Sequence, residues 1–258
     1  MKLNRKEFLE RACRTGLAIF GSTALFEVLS GRELMAGVKN NPSAVRWAMA
    51  VDIPKFVNSS DYERCIQVCN KIHNIPQMKD KRHEIKWIWK EKYEHAFPEQ
   101  SFIQVRSDLK ERDILVMCNQ CNNPPCVRVC PTQATWQRND GIVMMDMHRC
   151  IGCRYCMAAC PYGSRSFNFA DPRKYLDIDN INMEYPTRTR GVVEKCDMCA
   201  ERIDIGLKPL CVDACRDNSL IFGNLNDPKS DIRRALKKRY AIRRKPSLGT
   251  EPQVYYLV

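Results

Sequence analysis

No run of about 18 consecutive apolar residues occurs in the chain, so no segment reads as a membrane-spanning helix. Histidine is scarce: His73, His83, His95 and His148 are the only four. They stand at no spacing that would pair them with cysteines as metal ligands, so surface or structural roles are expected of them. No nucleophile beside a base and no acid–base pair announces itself, which points away from a chain that is catalytic by itself. Two things are abundant instead. Fifteen of the 258 residues are cysteine, and 42 Lys and Arg stand against 30 Asp and Glu, for a net charge of +12. With 44% hydrophobic residues the chain has the makings of one large or two compact domains.

So much cysteine means a disulfide scaffold or metal ligation. Disulfide frameworks belong to much shorter secreted chains without Cys-x2-Cys clusters, and the spacing here favours metal. Twelve cysteines fall into three groups of four. The first is Cys118-x2-Cys121-x4-Cys126-x3-Cys130-Pro131, and the second is Cys150-x2-Cys153-x2-Cys156-x3-Cys160-Pro161. The third is Cys196-x2-Cys199-x11-Cys211-x3-Cys215. A remaining pair, Cys65-x3-Cys69, looks like the tail of a fourth group. The second group is the run that wraps three thiolates round one corner of a [4Fe-4S] cube and sends its fourth cysteine to a neighbouring cube. Zinc needs separated pairs of ligands, not four cysteines in a row ending in proline, although the x11 gap of the third group is zinc-like. A thioredoxin-type redox pair lacks its βαβ surroundings.

The first 36 residues read as an address. Arg5-Lys6-Glu7-Phe8-Leu9 resembles a twin-arginine export signal, with lysine in place of the second arginine. The short apolar stretch Gly16–Phe26 is the length of a signal core. Leu34-Met35-Ala36 is the best cleavage candidate, and retention is the alternative. An amphipathic N-terminal helix that is never exported is the other reading of the segment. Cys13 falls inside it.

With these motifs in hand the chain resembles the ferredoxin-like electron-transfer subunits of the molybdoenzyme and polysulfide-reductase type. Within that group it is most similar to the exported ferredoxin-like O subunits of Dsr transmembrane complexes, which serve sulfite reduction or sulfur oxidation. The resemblance is carried by Arg46–Asp52, His73–Pro76, Glu84–Trp89, the run from Val116 to Phe169, Arg188–Lys195 and Leu248–Tyr256.

The resemblance implies interlocked ligand sets. One cluster takes Cys118, Cys121, Cys126 and Cys160. A second takes Cys150, Cys153, Cys156 and Cys130. A third takes Cys196, Cys199, Cys211 and Cys69. The family's fourth cluster would need two further cysteines beside Cys65 and Cys215. Phe56 stands at the first position, and Val57 to Arg64 supplies no second. Three [4Fe-4S] clusters are therefore expected, with oxygen ligation by Asp61 or Asn58 as the way to a fourth. Cys65 and Cys215 are left either as a disulfide, if their Cα atoms lie within about 7 Å, or as two buried free thiols.

The expected fold is α+β: tandem ferredoxin-like two-cluster modules with loop insertions and a C-terminal extension. Residues 1–36 are the export signal, and 37–110 are the first half of an outer module with a basic–aromatic insertion. Residues 111–186 are an inner two-cluster module, 187–225 the second half of the outer one, and 226–258 a basic extension. Asn139-Asp140-Gly141, between Thr135–Arg138 and Ile142–Met145, signals a hairpin. Ile85, Trp87 and Trp89 alternate as one face of a strand. They either pack on the module itself or form a docking face for a membrane subunit or a haem protein. The basic run over 230–245 reads as a solvated helix face, and nucleic acid is not an expected partner. Twelve ligands take the place of a hydrophobic core, so the apoprotein should not stay folded. Twelve thiolates and three cores of about +2 each bring the holo charge to near +6.

The function expected from the resemblance is a single-electron relay in sulfur or sulfite metabolism. It joins a quinone-reactive integral membrane subunit to an exported multihaem cytochrome c, on the periplasmic side of the membrane with other subunits of the complex. The electron-transfer subunit of a molybdenum-containing oxidoreductase is the alternative, and a zinc-stabilised binding protein is the rival from another class.

Overall fold

The computed structural model describes residues 45–100 and 107–258. The segment expected to be an export signal, with Cys13, lies outside them. The largest sheet has four strands in the order β8-β1-β10-β9. These are β1 (Trp47–Asp52), β8 (Leu220–Asn224), β9 (Ala241–Ile242) and β10 (Val254–Leu257). β1 runs parallel to β10, from Met49 opposite Val254 to Asp52 opposite Leu257, and antiparallel to β8. Segment 226–258, expected as an extension, thus supplies two strands of this sheet.

Alternation along β1 explains the packing, because successive strand residues face opposite sides. Met49 and Val51 join Val254, Tyr256, Leu220 and Phe222 in the main core. Ala48 and Ala50 face the other way, with Leu257, onto Ile232 of helix α2 (Asp231–Lys238). Small side chains let that helix sit close, and Gly223 is part of the fit: a Cβ there would stand 3.2 Å from Ile232 Cγ2.

Three two-stranded ladders complete the strands. They are β2 (Ile88–Lys92) with β3 (Asp113–Met117), β4 (Thr135–Gln137) with β5 (Val143–Met145), and β6 (Ser166–Phe167) with β7 (Val193–Glu194). The β4–β5 hairpin turns where the Asn-Asp-Gly signal placed it. Gly141 has φ +89°, and its amide donates to Arg138 O at 2.9 Å. The one long helix before these ladders, α1 (Ser59–Ile72), carries Cys65 and Cys69 on its buried side.

Two expectations about the surface are corrected. The strand of the insertion begins at Ile88, so Ile85 and Trp87 precede it and are not strand residues. Both are buried, at 5% and 2% exposure. The Trp87 ring stacks on His73 at 4.4 Å, and its Nε1 donates to Glu194 Oε2 at 2.8 Å. Glu194 also holds Arg188 in a fully buried ion pair. These rings pack on the chain's own core. The basic run is likewise divided. Arg233, Arg234, Lys237 and Lys238 are solvated as expected, but Arg239 pairs with the buried Asp52. Arg244 is buried with its guanidinium over Tyr162, and Lys245 Nζ donates to Pro161 O at 2.7 Å. These cations reach back to the segment after Cys160 and tie the inner module to the sheet.

A sizeable hydrophobic core is present, contrary to the expectation that ligands replace one. It centres on the large sheet, α1 and β2–β3. The expectation describes the inner module better, where the separate core cluster consists of Val143, Val193, Cys126 and Cys156.

Candidate metal centres

The sharpest constellation joins α1 to the third cysteine group. Cys69 sits on α1, Cys196 follows β7, and Cys199 adopts a left-handed conformation ahead of the one-turn helix Ala200–Asp204. Cys211 lies in the short helix Leu210–Ala214. All four are buried. Burial, and then the nearby thiols of Cys196, Cys199 and Cys211, push the Cys69 thiol far above its ordinary range. Burial likewise raises Cys196 and Cys199, and it takes Cys211 up to about 12. Four thiols crowded in an apolar site resist ionisation, and a cation that gathers their charge is what such a donor set fits.

The second constellation lines a closed-in cavity whose walls include Cys118, Cys121, Cys126 and Cys160. Cys126 lies in the one-turn helix Pro125–Arg128, and Cys160 follows the one-turn helix Tyr155–Ala158. Members of two different sequence groups thus share one cavity. Burial, followed by the Cys118 thiol, pushes Cys121 up to about 12, and Cys160 is raised in the same way. Asn119 is buried against this cavity, and both polar atoms of its side chain lack a protein partner. An orphaned amide at the wall of a four-thiol cavity fits a group with acceptor sulfurs.

The remaining expected set is brought together in part. Cys150 and Cys156 are neighbours, since the Cys150 thiol is one of the charges that raise Cys156 after burial and Cys126. The Val193 amide donates to Cys150 Sγ at 3.5 Å. Cys153 is exposed in its loop. Cys130 is half-buried, with Sγ 3.7 Å from Thr132 Oγ1. Burial raises its pKa, but hydrogen bonds from Thr135, Thr132 and Ala134 outweigh that and lower it. The three sets are adjacent. Cys126 packs with Cys150 and Cys156 in one small cluster, and Cys118 packs against the core cluster that contains Cys69, Cys196 and Cys211, which places the Cys118 set between the other two.

Cys65 and Cys215 are joined as a disulfide, with Cα atoms 6.2 Å apart. Beside them Phe56 is buried and stacked on Tyr62 with ring centroids 4.8 Å apart. The Tyr62 hydroxyl donates to Asp113 O at 2.5 Å. Asp61, considered above as an oxygen ligand, accepts from the Asn58 amide at 3.2 Å at the start of α1. Both residues are used in capping the start of the helix.

Several residues at these sites carry no mark in the sequence motifs. His73, one turn after Cys69 on the same side, is 1% exposed, with Nδ1 3.6 Å from Cys69 Sγ and Nε2 3.2 Å from Glu201 Oε1. The i, i+4 spacing is the signal that could have found it. Thr250 hydrogen-bonds Tyr162, a residue on the wall of the Cys118 cavity, from the far end of the sequence, and no local pattern marks it. Arg165 is buried just after the second group, where a cation so close to the thiols is not foretold by spacing.

The 4Fe-4S dicluster domain model matches residues 114–174 and 180–225. The chain is 38% identical to the Hdr-like menaquinol oxidoreductase iron-sulfur subunit 1 of Archaeoglobus fulgidus, over 98% of this chain and 97% of that protein. It is 33% identical to the menaquinone reductase iron-sulfur cluster-binding subunit of Nitratidesulfovibrio vulgaris, over 83% and 89%. The B subunit of the Wolinella succinogenes polysulfide reductase is 39% identical over 54% of this chain and 63% of that one. These relatives are subunits of larger redox complexes, consistent with a protein that is not catalytic alone. The cysteine constellations and the similarity along nearly the whole length lead to one conclusion: this protein belongs to the iron–sulfur electron-transfer subunits, built on 4Fe-4S dicluster domains, of Hdr-like menaquinol oxidoreductase and polysulfide-reductase-type complexes.

Proposed function

We propose that the chain is a three-station electron relay in a membrane-bound respiratory complex. It would carry single electrons between a quinone-reactive integral membrane subunit and a multihaem cytochrome c, in sulfur or sulfite metabolism. The ligand sets are those given above, carried on tandem ferredoxin-like modules. Bound there, each [4Fe-4S] cluster supplies a one-electron couple without bond rearrangement. The chain's own residues exclude water, fix the spacing and set the potentials. The observation that carries the reading is the adjacency of three cysteine sets with the Cys118 set in the middle. The absence of a fourth station is supported by the disulfide that joins Cys65 to Cys215. The quinone-linked partner is supported by likeness to the Archaeoglobus menaquinol oxidoreductase subunit along almost its full length. The likeness to the polysulfide reductase B subunit, which would favour a molybdenum partner, spans about half of this chain. The O-subunit role in a Dsr-type complex is the finer form of the same proposal.

Purified anaerobically from its native membrane, the protein should hold about 12 iron and 12 sulfide and bring with it a membrane subunit and a haem-staining polypeptide. About 16 of each would show a filled fourth site. A molybdenum-containing partner in place of the haem protein would select the alternative.

Export by a twin-arginine-like route to the periplasmic side belongs to the same proposal and rests on Arg5-Lys6-x-Phe8-Leu9. Arg5→Lys should leave the protein inside the cell with its clusters loaded. Unchanged delivery in a fractionation experiment would remove that reading.

A further inference from the structure

Arg165 is 5% exposed, and among the described residues no carboxylate lies within ion-pair distance of it. A buried cation without a counter-charge is strongly disfavoured, so its partner must be sought among groups that carry no formal charge in the bare protein. Its Nη2 donates to Thr135 Oγ1 at 2.8 Å, and its Nη1 reaches Met145 Sδ at 3.7 Å. Arg165 lies on the wall of the cavity that Cys118, Cys121, Cys126 and Cys160 line, and the Met145 it touches packs in the small cluster that holds Cys126 and Cys156 together. Those two cysteines belong to different expected clusters.

Asn119 supplies a second, independent observation. It is 1% exposed, lines the Cys118 cavity together with Arg165, and leaves both amide atoms without a protein partner. A buried amide left unpaired carries a desolvation penalty, which is removed from its N–H if that group faces a cluster sulfur.

We propose that Arg165 is a shared tuning residue that bridges the Cys118 and Cys150 clusters and raises the reduction potential of both, and that Asn119 does the same for the Cys118 cluster alone. The inference rests on the ligand sets proposed above. A cube with a core of about +2 and four thiolates carries a net charge near −2, and reduction takes it to about −3. A fixed cation and a fixed N–H donor stabilise the more negative state more, and so favour reduction. Because one guanidinium serves two sites, the two potentials are tied to one side chain. The cavity that both residues line includes none of the third set's cysteines.

The test is a redox titration followed by low-temperature EPR on the full, anaerobically purified chain, with iron and sulfide counted on each sample. Arg165→Gln should lower the potentials of the Cys118 and Cys150 clusters by at least tenfold in the reduction equilibrium, about 59 mV for one electron. The Cys196 cluster should be unmoved. Asn119→Leu should lower the Cys118 cluster and no other. If Arg165→Gln does not load iron, Arg165→Lys replaces it. A point ammonium cannot reach both sulfurs as a planar fork does, so one of the two potentials should fall while the other holds. Full loading with unmoved potentials, or an equal shift of all three clusters, overturns the role of these residues. A wild-type protein that lacks its full iron overturns the ligand sets themselves.

Discussion

Replacing Cys160 with alanine should abolish the cluster begun at Cys118, although Cys160 belongs by sequence to the second group. The thiol lines the same cavity as Cys118, Cys121 and Cys126, and removing it leaves three thiolates around a cube that needs four. The damage should be structural as well. The inner module's own core cluster is two valines and two cysteines, so ligation carries most of its stability. A structural metal site contributes on the order of 10 kcal/mol, comparable to the whole margin of roughly 5–15 kcal/mol by which a domain is stable. Iron should fall by about four per molecule, and protease should cut between residues 118 and 165 at rates the wild type does not show. Retention of the Cys118 signal with loss of the Cys150 signal would mean that each group keeps its own fourth cysteine and that the interlocked pairing fails.

The second large effect concerns two cysteine pairs, each separated by one helical step of four residues. Cys69→Ser should remove the cluster of Cys196, Cys199 and Cys211, because all four thiols crowd one buried site. Cys215→Ser should leave all three clusters, because Cys215 is committed to Cys65. Its loss should instead lower stability by roughly 2–5 kcal/mol, seen as an earlier thermal transition at full iron content. Phe56→Cys should add no cluster, since Val57 to Arg64 still supplies no further cysteine and Cys65 and Cys215 are joined to each other. Iron content and EPR decide between these outcomes. A cluster lost in Cys215→Ser would make Cys215 a ligand and reopen the outer site.

How much of this was legible in the sequence depends on the range over which each signal acts. Cysteine spacing is local and marks which thiols matter, but the gathering crosses the groups: Cys160 joins the cavity of the first group and Cys215 leaves the third for Cys65. The Asn-Asp-Gly hairpin is local too. The four-stranded sheet was not legible, because its central pairing joins Met49 to Val254 and no strand in it exceeds six residues. Trp87 misled because alternation ran on across a strand boundary, and a buried carboxylate, Glu194, claims its indole from far along the sequence. The basic run misled because charge composition does not reveal which cations meet buried carbonyls or an aspartate, as Arg244 and Arg239 do. Arg165, Asn119 and Thr250 are single polar residues whose meaning lies in what surrounds them.

The parallel pairing of β1 with β10 also has a mechanical side. Two neighbouring strands that run the same way, one entering the described fold at Trp47 and the other leaving it at Leu257, are pulled past each other when tension is applied at those two points. The load then falls on the whole slanted ladder of hydrogen bonds at once, whereas a hairpin opened from its free end gives way one bond at a time. Every proposed ligand, from Cys69 to Cys211, lies between Asp52 and Val254 in the sequence. A pull transmitted through the flanking residues is therefore taken up in shear by the sheet before it reaches the loops that hold the cysteines.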